Sequence, residues 1–290
     1  MEQEMQRLAS MGALRIAPSS RLSGDTEYVH GDFAEAIAAD ARDMALDLDA
    51  ALRWIEVRAR SRPAAWARRL AHLQAQGTDL AAAAANARVA AASMHALGAL
   101  PEAVDCYELS RNYCLGLLER GAQRDAATGL SKTARGLAPC LTARHEYERA
   151  SDRAREAIEE LRGLDDLTEA DWYKLGVPLL SLWAQAETEA GRAKGVVEPL
   201  EQQIEAITAA QSEMTAAYLP PLRLALGSAL LARDRVVDAL ETWRQALNEL
   251  PADPDFPLTA DLSMRIADAY RRAEDGEQAV TYARRGLAAA

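Results

Sequence analysis

Apolar side chains recur at helical intervals along most of this chain. Phe33, Ile37, Met44, Leu48, Leu52 and Ile55 follow one another at three-, four- and seven-residue steps, which places them on one side of a helix. That helix should stop at Ser61-Arg62-Pro63, because the residue ahead of a proline avoids helical angles. A shorter helix with Trp66, Leu70 and Leu73 follows and ends at Gly77. Before Phe33 the order weakens. Residues 1–16 allow a short helix with Met5, Leu8 and Met11 at three-residue spacing, whereas 17–30, broken by Pro18, Ser19, Ser20 and Gly24, read as linker. The reading is an N-terminal arm and linker over 1–30 and a helical repeat domain over 31–290, atypical in 31–77 and repetitive in 84–290.

Beyond Gly77 the pattern repeats, and internal repeats decide the fold. One segment shows the unit most clearly. Counted from Pro220 as position 1, Leu226 and Gly227 fall at 7 and 8, Leu230 at 11, Ala239 at 20, Trp243 at 24, Ala246 at 27 and Pro251 at 32. Two antiparallel helices that approach closely at 8 and 20 need small residues there, and a large residue at 24 fills the gap on the next turn. The same register places Ala91, Met94, Ala103 and Tyr107 in 84–117, with Gly98 at the turn and Pro101 where a second helix starts. It places Ala138, Leu141, Ala150 and Ala157 in 131–164, and Trp183, Ala184 and Gly191 in 177–210, ahead of a degenerate second helix with Val196 and Leu200. The last unit has Ile266, Ala267, Tyr270 and Ala279.

This arrangement resembles the tetratricopeptide repeat (TPR) family. Ala103 to Ala150 is 47 residues, Ala150 to Val196 is 46, Val196 to Ala239 is 43 and Ala239 to Ala279 is 40. The units are therefore similar to the extended ones of kinesin light chains and bacterial regulatory solenoids. There are departures: no unit has the tryptophan expected at position 4, and Glu187 replaces a large apolar residue at 11. The resemblance implies an all-α fold without a sheet, a right-handed superhelical solenoid of antiparallel helix pairs with first helices lining a concave groove. It also implies that positions 2, 5, 9, 12 and 13 face that groove. Here those are Arg88 and His95, then Lys132 and Arg135, then Gln185, Thr188 and Glu189, then Leu224 and Ser228, and last Asp268, Arg271 and Arg272. The first four would form a basic pocket for an acidic or carboxylate-ending segment, or else simply solvate a helix face.

Composition narrows the picture. Apolar residues make up 49%, much of it alanine, and aromatics only 5%, which suits helices and not sheets. The net charge of −11 sets nucleic acid aside as the main partner, because phosphate binding calls for a basic face. Leu80–Leu100, the most apolar stretch, holds Asn86, Arg88 and His95 and reads as a core helix, so no membrane is expected. The start lacks the cationic and apolar regions of a secretory signal, and Cys106, Cys114 and Cys140 are an odd set without CxxC spacing; both point to a reduced, cytoplasmic setting.

Candidate chemistry is thin. There is no GxSxG, phosphate loop, HExxH or EF-hand loop. His30, His72, His95 and His145 are scattered, and His145 falls at a turn. Asp165 and Asp166 sit in another turn, ahead of a capping-box variant at Thr168–Asp171. The reading expects no catalytic residue, metal or cofactor. It gives first a protein- or peptide-binding adaptor, and second a sensory module that takes a small ligand or signalling peptide and acts in trans. The last pair lacks a covering helix and is expected to self-associate or pack on the partner.

Overall fold

The computed structural model describes residues 15–17, 27–29, 63–76, 78–210, 216–250 and 257–289. Two compact units divide the chain, Met1–Arg60 and Ser61–Ala290. In the first, strands β1 (Arg15–Ala17) and β2 (Glu27–Val29) pair antiparallel with Ile16 opposite Tyr28. Helical periodicity gives no hint of this short ribbon, and it corrects the expectation of no sheet. The helix read over Phe33–Ile55 and the residues Met5, Leu8 and Met11 lie outside the described residues.

The second unit is helical throughout its described residues. Its first helix, α1 (Pro63–Gln76), opens on the proline that the sequence marks as a stop for the preceding segment. Then come α2 (Leu80–Ala96) and α3 (Leu100–Glu119), and α4 (Gln123–Ala143) and α5 (Tyr147–Arg162). A two-turn helix, α6 (Glu169–Leu175), leads into α7 (Val177–Glu189) and α8 (Lys194–Ala210). The last two pairs are α9 (Leu219–Leu231) with α10 (Val236–Glu249), and α11 (Pro257–Arg272) with α12 (Gly276–Ala288). The five pairs fall on the five units of the sequence repeat. The segment read as degenerate forms a full helix, α8, with Val196 and Leu200 both buried. Pro251 lies outside the described residues, as do the side chains of Trp66, Leu70 and Leu73.

Turns within the pairs share one device. Two or three residues past the end of each first helix, one residue takes a left-handed conformation, with φ of +75° at Gly98, +61° at His145, +77° at Gly191, +59° at Asp234 and +60° at Glu274. Glycine adopts that angle freely; His145, Asp234 and Glu274 are held in it by the backbone bonds that close each helix. At the third such turn, for example, Arg192 N–H donates to the Glu187 carbonyl at 2.8 Å. Thr168 caps α6 in the expected capping box, its hydroxyl accepting from Asp171 N–H at 3.1 Å.

Packing follows the small residues. Ala91, Ala103, Ala138, Ala150, Ala184 and Ala239 are almost fully buried at the helix crossings, where short side chains let the axes approach. One continuous apolar core runs from Ala127 to Tyr270, with Trp243 its largest fully buried member. Around α2 to α4 the core is richer in alanine and cysteine, set beside Val104, Tyr107, Leu130, Leu137 and Leu141, and forms smaller separate clusters.

Candidate partner-binding face

Successive first helices pack on each other, α2 on α4, α4 on α7 and α7 on α9. The second helices of neighbouring pairs are linked instead by long side chains. Glu108 on α3 accepts from Arg149 at 3.0 Å and Arg153 at 2.9 Å, both on α5. Arg111 on α3 reaches Glu156 at 3.1 Å and Glu160 at 2.8 Å. Arg155 pairs with Asp152 at 2.9 Å, and Arg192 with Glu148 at 3.3 Å. Arg149, Arg153 and Arg155 on α5 are thus committed to carboxylates.

On the first helices Arg124, Arg223 and Arg265 are also ion-paired, but two cations on α4 stand differently. Lys132 and Arg135, one turn apart on α4, are exposed and make no ion pair with a described residue. His95 near the end of α2 and Gln185 and Glu189 on α7 are also exposed. Thr188 is half-buried, and its hydroxyl donates to the Ala184 carbonyl at 2.7 Å. Ser228 donates to the Leu224 carbonyl at 2.9 Å and accepts from Arg265 at 3.1 Å, which ties α9 to α11. Asp268 closes on its own helix, accepting from both Arg271 and Arg272 at 2.5 and 3.0 Å. These bonds hold its carboxyl below the usual aspartate range, Arg271 contributing most.

Arg88 goes elsewhere. Its guanidinium turns onto α3 and donates to the Ser110 hydroxyl at 3.3 Å. It lines a cavity of about 180 Å³ between α2, α3 and α4, together with Ala81, Ala84, Cys114, Asp125 and Gly129. His95, Lys132 and Arg135 do not line it. The reason lies in the facing residue. Met264, at the same repeat position in the last unit, likewise lies over Gly286, where an added Cβ would sit 2.9 Å from its sulfur. Ser110 and Gly286 occupy equivalent positions on the second helices. A small residue there lets the long side chain from the first helix lie across its own pair. In the second unit the equivalent residue is Ala157, which is as small but has no hydroxyl to accept a bond, and Arg135 stays outside.

Glu187 explains a departure from the repeat. In place of an apolar residue, its carboxylate accepts from Ser151 on α5 and from Arg192 at 2.9 and 3.1 Å. Burial pushes its pKa up, but the bonds from Arg192 and Ser151 outweigh burial and leave it below the usual glutamate value. Glu160 goes the other way. Burial raises it more than Arg111 lowers it, and one of its oxygens has no hydrogen-bond partner.

Other candidates resolve simply. Cys106, Cys114 and Cys140 are free and buried, and burial raises each thiol's pKa. His145 is exposed at its turn, 2.7 Å from the Tyr147 hydroxyl. Trp183 is half-buried; Trp172 on α6 bonds Gln203 at 3.2 Å beneath the Arg162 guanidinium. Among the described residues no three His, Cys, Asp or Glu side chains gather as a metal site would require, and no helix is long and apolar enough to cross a membrane.

Antiparallel pairs in register, with alanine or glycine at most crossings and an aromatic on the next turn at Tyr107 and Trp243, define a TPR-like, all-α helical repeat protein. No family model matches the chain, and no curated protein does. Among solved structures it is similar to the crystal structure of BtubC (BKLC) from P. vanneervenii, with a TM-score of 0.55 and 15% identity over 83% of this chain and 90% of that one. YrrB, a TPR protein with an unusual peptide-binding site, aligns at a TM-score of 0.39 and 14% identity, over 70% of this chain and 84% of its own. MamA from Desulfovibrio magneticus RS-1 gives 0.37 and 15%, over 63% and 94%. The likeness to BtubC is one of fold; the other two are too distant in geometry to add to it.

Proposed function

We propose that the chain is a non-catalytic binding scaffold that holds an acidic segment of another protein along its row of first helices. The observation that carries this is the contrast between α4 and α5. Lys132 and Arg135 stand exposed without an ion pair among the described residues, whereas Arg149, Arg153 and Arg155 on the second helix are paired. A guanidinium already bonded to a carboxylate must lose that bond before it can bind another. A solvated one offers its planar fork at once. His95, Gln185 and Glu189 extend the polar face to either side, and the three buried thiols suit a reducing, cytoplasmic setting.

The test is fluorescence anisotropy of the whole protein with a labelled Asp/Glu-rich peptide and a neutral peptide of equal length. The acidic peptide should bind better, and binding should weaken from about 0.1 M to about 1 M salt as the screening length falls from ~10 to ~3 Å. Lys132→Glu with Arg135→Glu should weaken it at least about tenfold, roughly 1.4 kcal/mol, with an unchanged melt. Equal binding of the neutral peptide, or normal binding by the double variant, would sink the proposal.

Self-association through the last pair belongs to the same proposal. Val280 and Leu287, seven residues apart on α12, are both exposed. Sedimentation velocity should show the Val280→Glu/Leu287→Glu variant as a smaller species than wild type; identical sedimentation would count against it.

A further inference from the structure

The cavity beside Arg88 lies apart from the exposed face of α4 and has a chemistry of its own. Its walls are mostly small, with Ala81 and Ala84 on one side and Gly129 on the other. At about 180 Å³ it far exceeds the ~10–15 Å³ that one water needs, yet it falls short of the ~300 Å³ at which drug-sized pockets begin.

Its polar groups do not satisfy one another. Ser110, fully buried, donates to the Ala84 carbonyl at 3.0 Å and so must accept from both Arg88 and Thr133, at 3.3 and 2.9 Å. That long bond to a neutral hydroxyl and a contact with the Cys114 thiol are the guanidinium's polar partners among the described residues, and neither carries a full charge. No described carboxylate pairs with it, although the side chain is half-buried and a charge withdrawn from water needs a counter-charge. Asp125, in the first turn of α4, lines the same cavity from an exposed position and also has no ion pair among the described residues. The cavity therefore holds one cation within and one anion at its exposed edge, not paired with each other.

We infer that this cavity binds a small zwitterion, a free α-amino acid, with its carboxylate on the Arg88 guanidinium and its ammonium toward Asp125. A guanidinium binds a carboxylate through two parallel bonds, and Arg88 has several N–H groups left to give. The ammonium remains near water at the edge, where Asp125 offsets its charge. The small walls leave room for a short side chain only. The site is independent of the proposed peptide-binding face, and it gives the small-ligand reading of the sequence a definite chemistry.

The whole protein is titrated by calorimetry, and by ligand-observed NMR, with free amino acids. Two stripped relatives serve as controls: the amine without its carboxylate and the acid without its ammonium. A small amino acid should bind, and each stripped form should bind at least about tenfold more weakly. Arg88→Gln should abolish binding. Asp125→Asn should weaken the amino acid while leaving the deaminated acid unchanged. Ala81→Leu, at an exposed position, should block the cavity without lowering the melting temperature. The inference is overturned if wild type binds no amino acid, if the deaminated acid binds as well, or if Arg88→Gln and Ala81→Leu both bind normally. None of these outcomes touches peptide binding by Lys132 and Arg135.

Discussion

The indole of Trp243 occupies the space that a side chain at residue 227 would need: a Cβ on Gly227 would lie 2.3 Å from its Nε1. The ring is fully buried, and its N–H donates to the Leu224 carbonyl at 3.0 Å, one turn from that glycine. Gly227→Ala should therefore force the indole aside and cost about 1–3 kcal/mol, the usual range for overpacking. Ala239→Leu, at the fully buried crossing of the same pair, should cost a similar amount. Urea melts measure both; variants as stable as wild type would mean that the pair is packed in another register.

The link between α3 and α5 makes a second prediction. Arg111 and Glu160 have side chains only 16% and 22% exposed. Removing one partner leaves the other partly buried and uncompensated, which costs more than removing both. Arg111→Leu should destabilise by roughly 1–3 kcal/mol. Adding Glu160→Leu should recover part of that loss, and a double-mutant cycle without coupling would show that the pair contributes nothing.

Acid should act on two glutamates in opposite senses. The folded-state pKa of Glu187 is lowered, so its stabilisation is present above the unfolded glutamate value and is lost as pH falls through the lowered folded one. Glu160 is raised, so its charge costs stability at neutral pH, and that cost disappears as pH falls through its folded value. Carboxyl-carbon NMR should show Glu160 titrating at higher pH than Glu187. The reverse order would contradict both environments. In stability-versus-pH curves, Glu187→Gln should lose part of the acid-side slope.

How far a sequence reveals such a molecule depends on whether an interaction is periodic. Small residues recur at the position of Gly227 in every other unit and at that of Ala239 in all but the one with Val196, and Tyr107 repeats the aromatic of Trp243, so pairing and register are legible in the sequence. The path of Arg88 is not. It depends on Ser110, 22 residues away on another helix, whose hydroxyl accepts from the guanidinium. Ser110 gives no sign of that by itself. Glu187 looked like a flaw in the repeat until Ser151, 36 residues earlier, and Arg192 were seen to bond it. The ribbon of β1 and β2 was missed because two three-residue strands are too short to show alternation. The ion pairs between α3 and α5 join residues 41 to 49 positions apart, and side-chain charge alone does not choose among so many partners.

Site-specific photo-crosslinking in the cells that make the protein tests the binding face most directly. A photoreactive residue replaces Arg135 on α4 in one protein and Asp152 on α5 in another, both exposed. Illumination and mass spectrometry then identify what each has reached. The account predicts a protein adduct from position 135, mapped to an acidic segment and lost when Lys132→Glu is added, with little or none from position 152. Adducts to the same partner from position 152 alone, or equally from both, would contradict it.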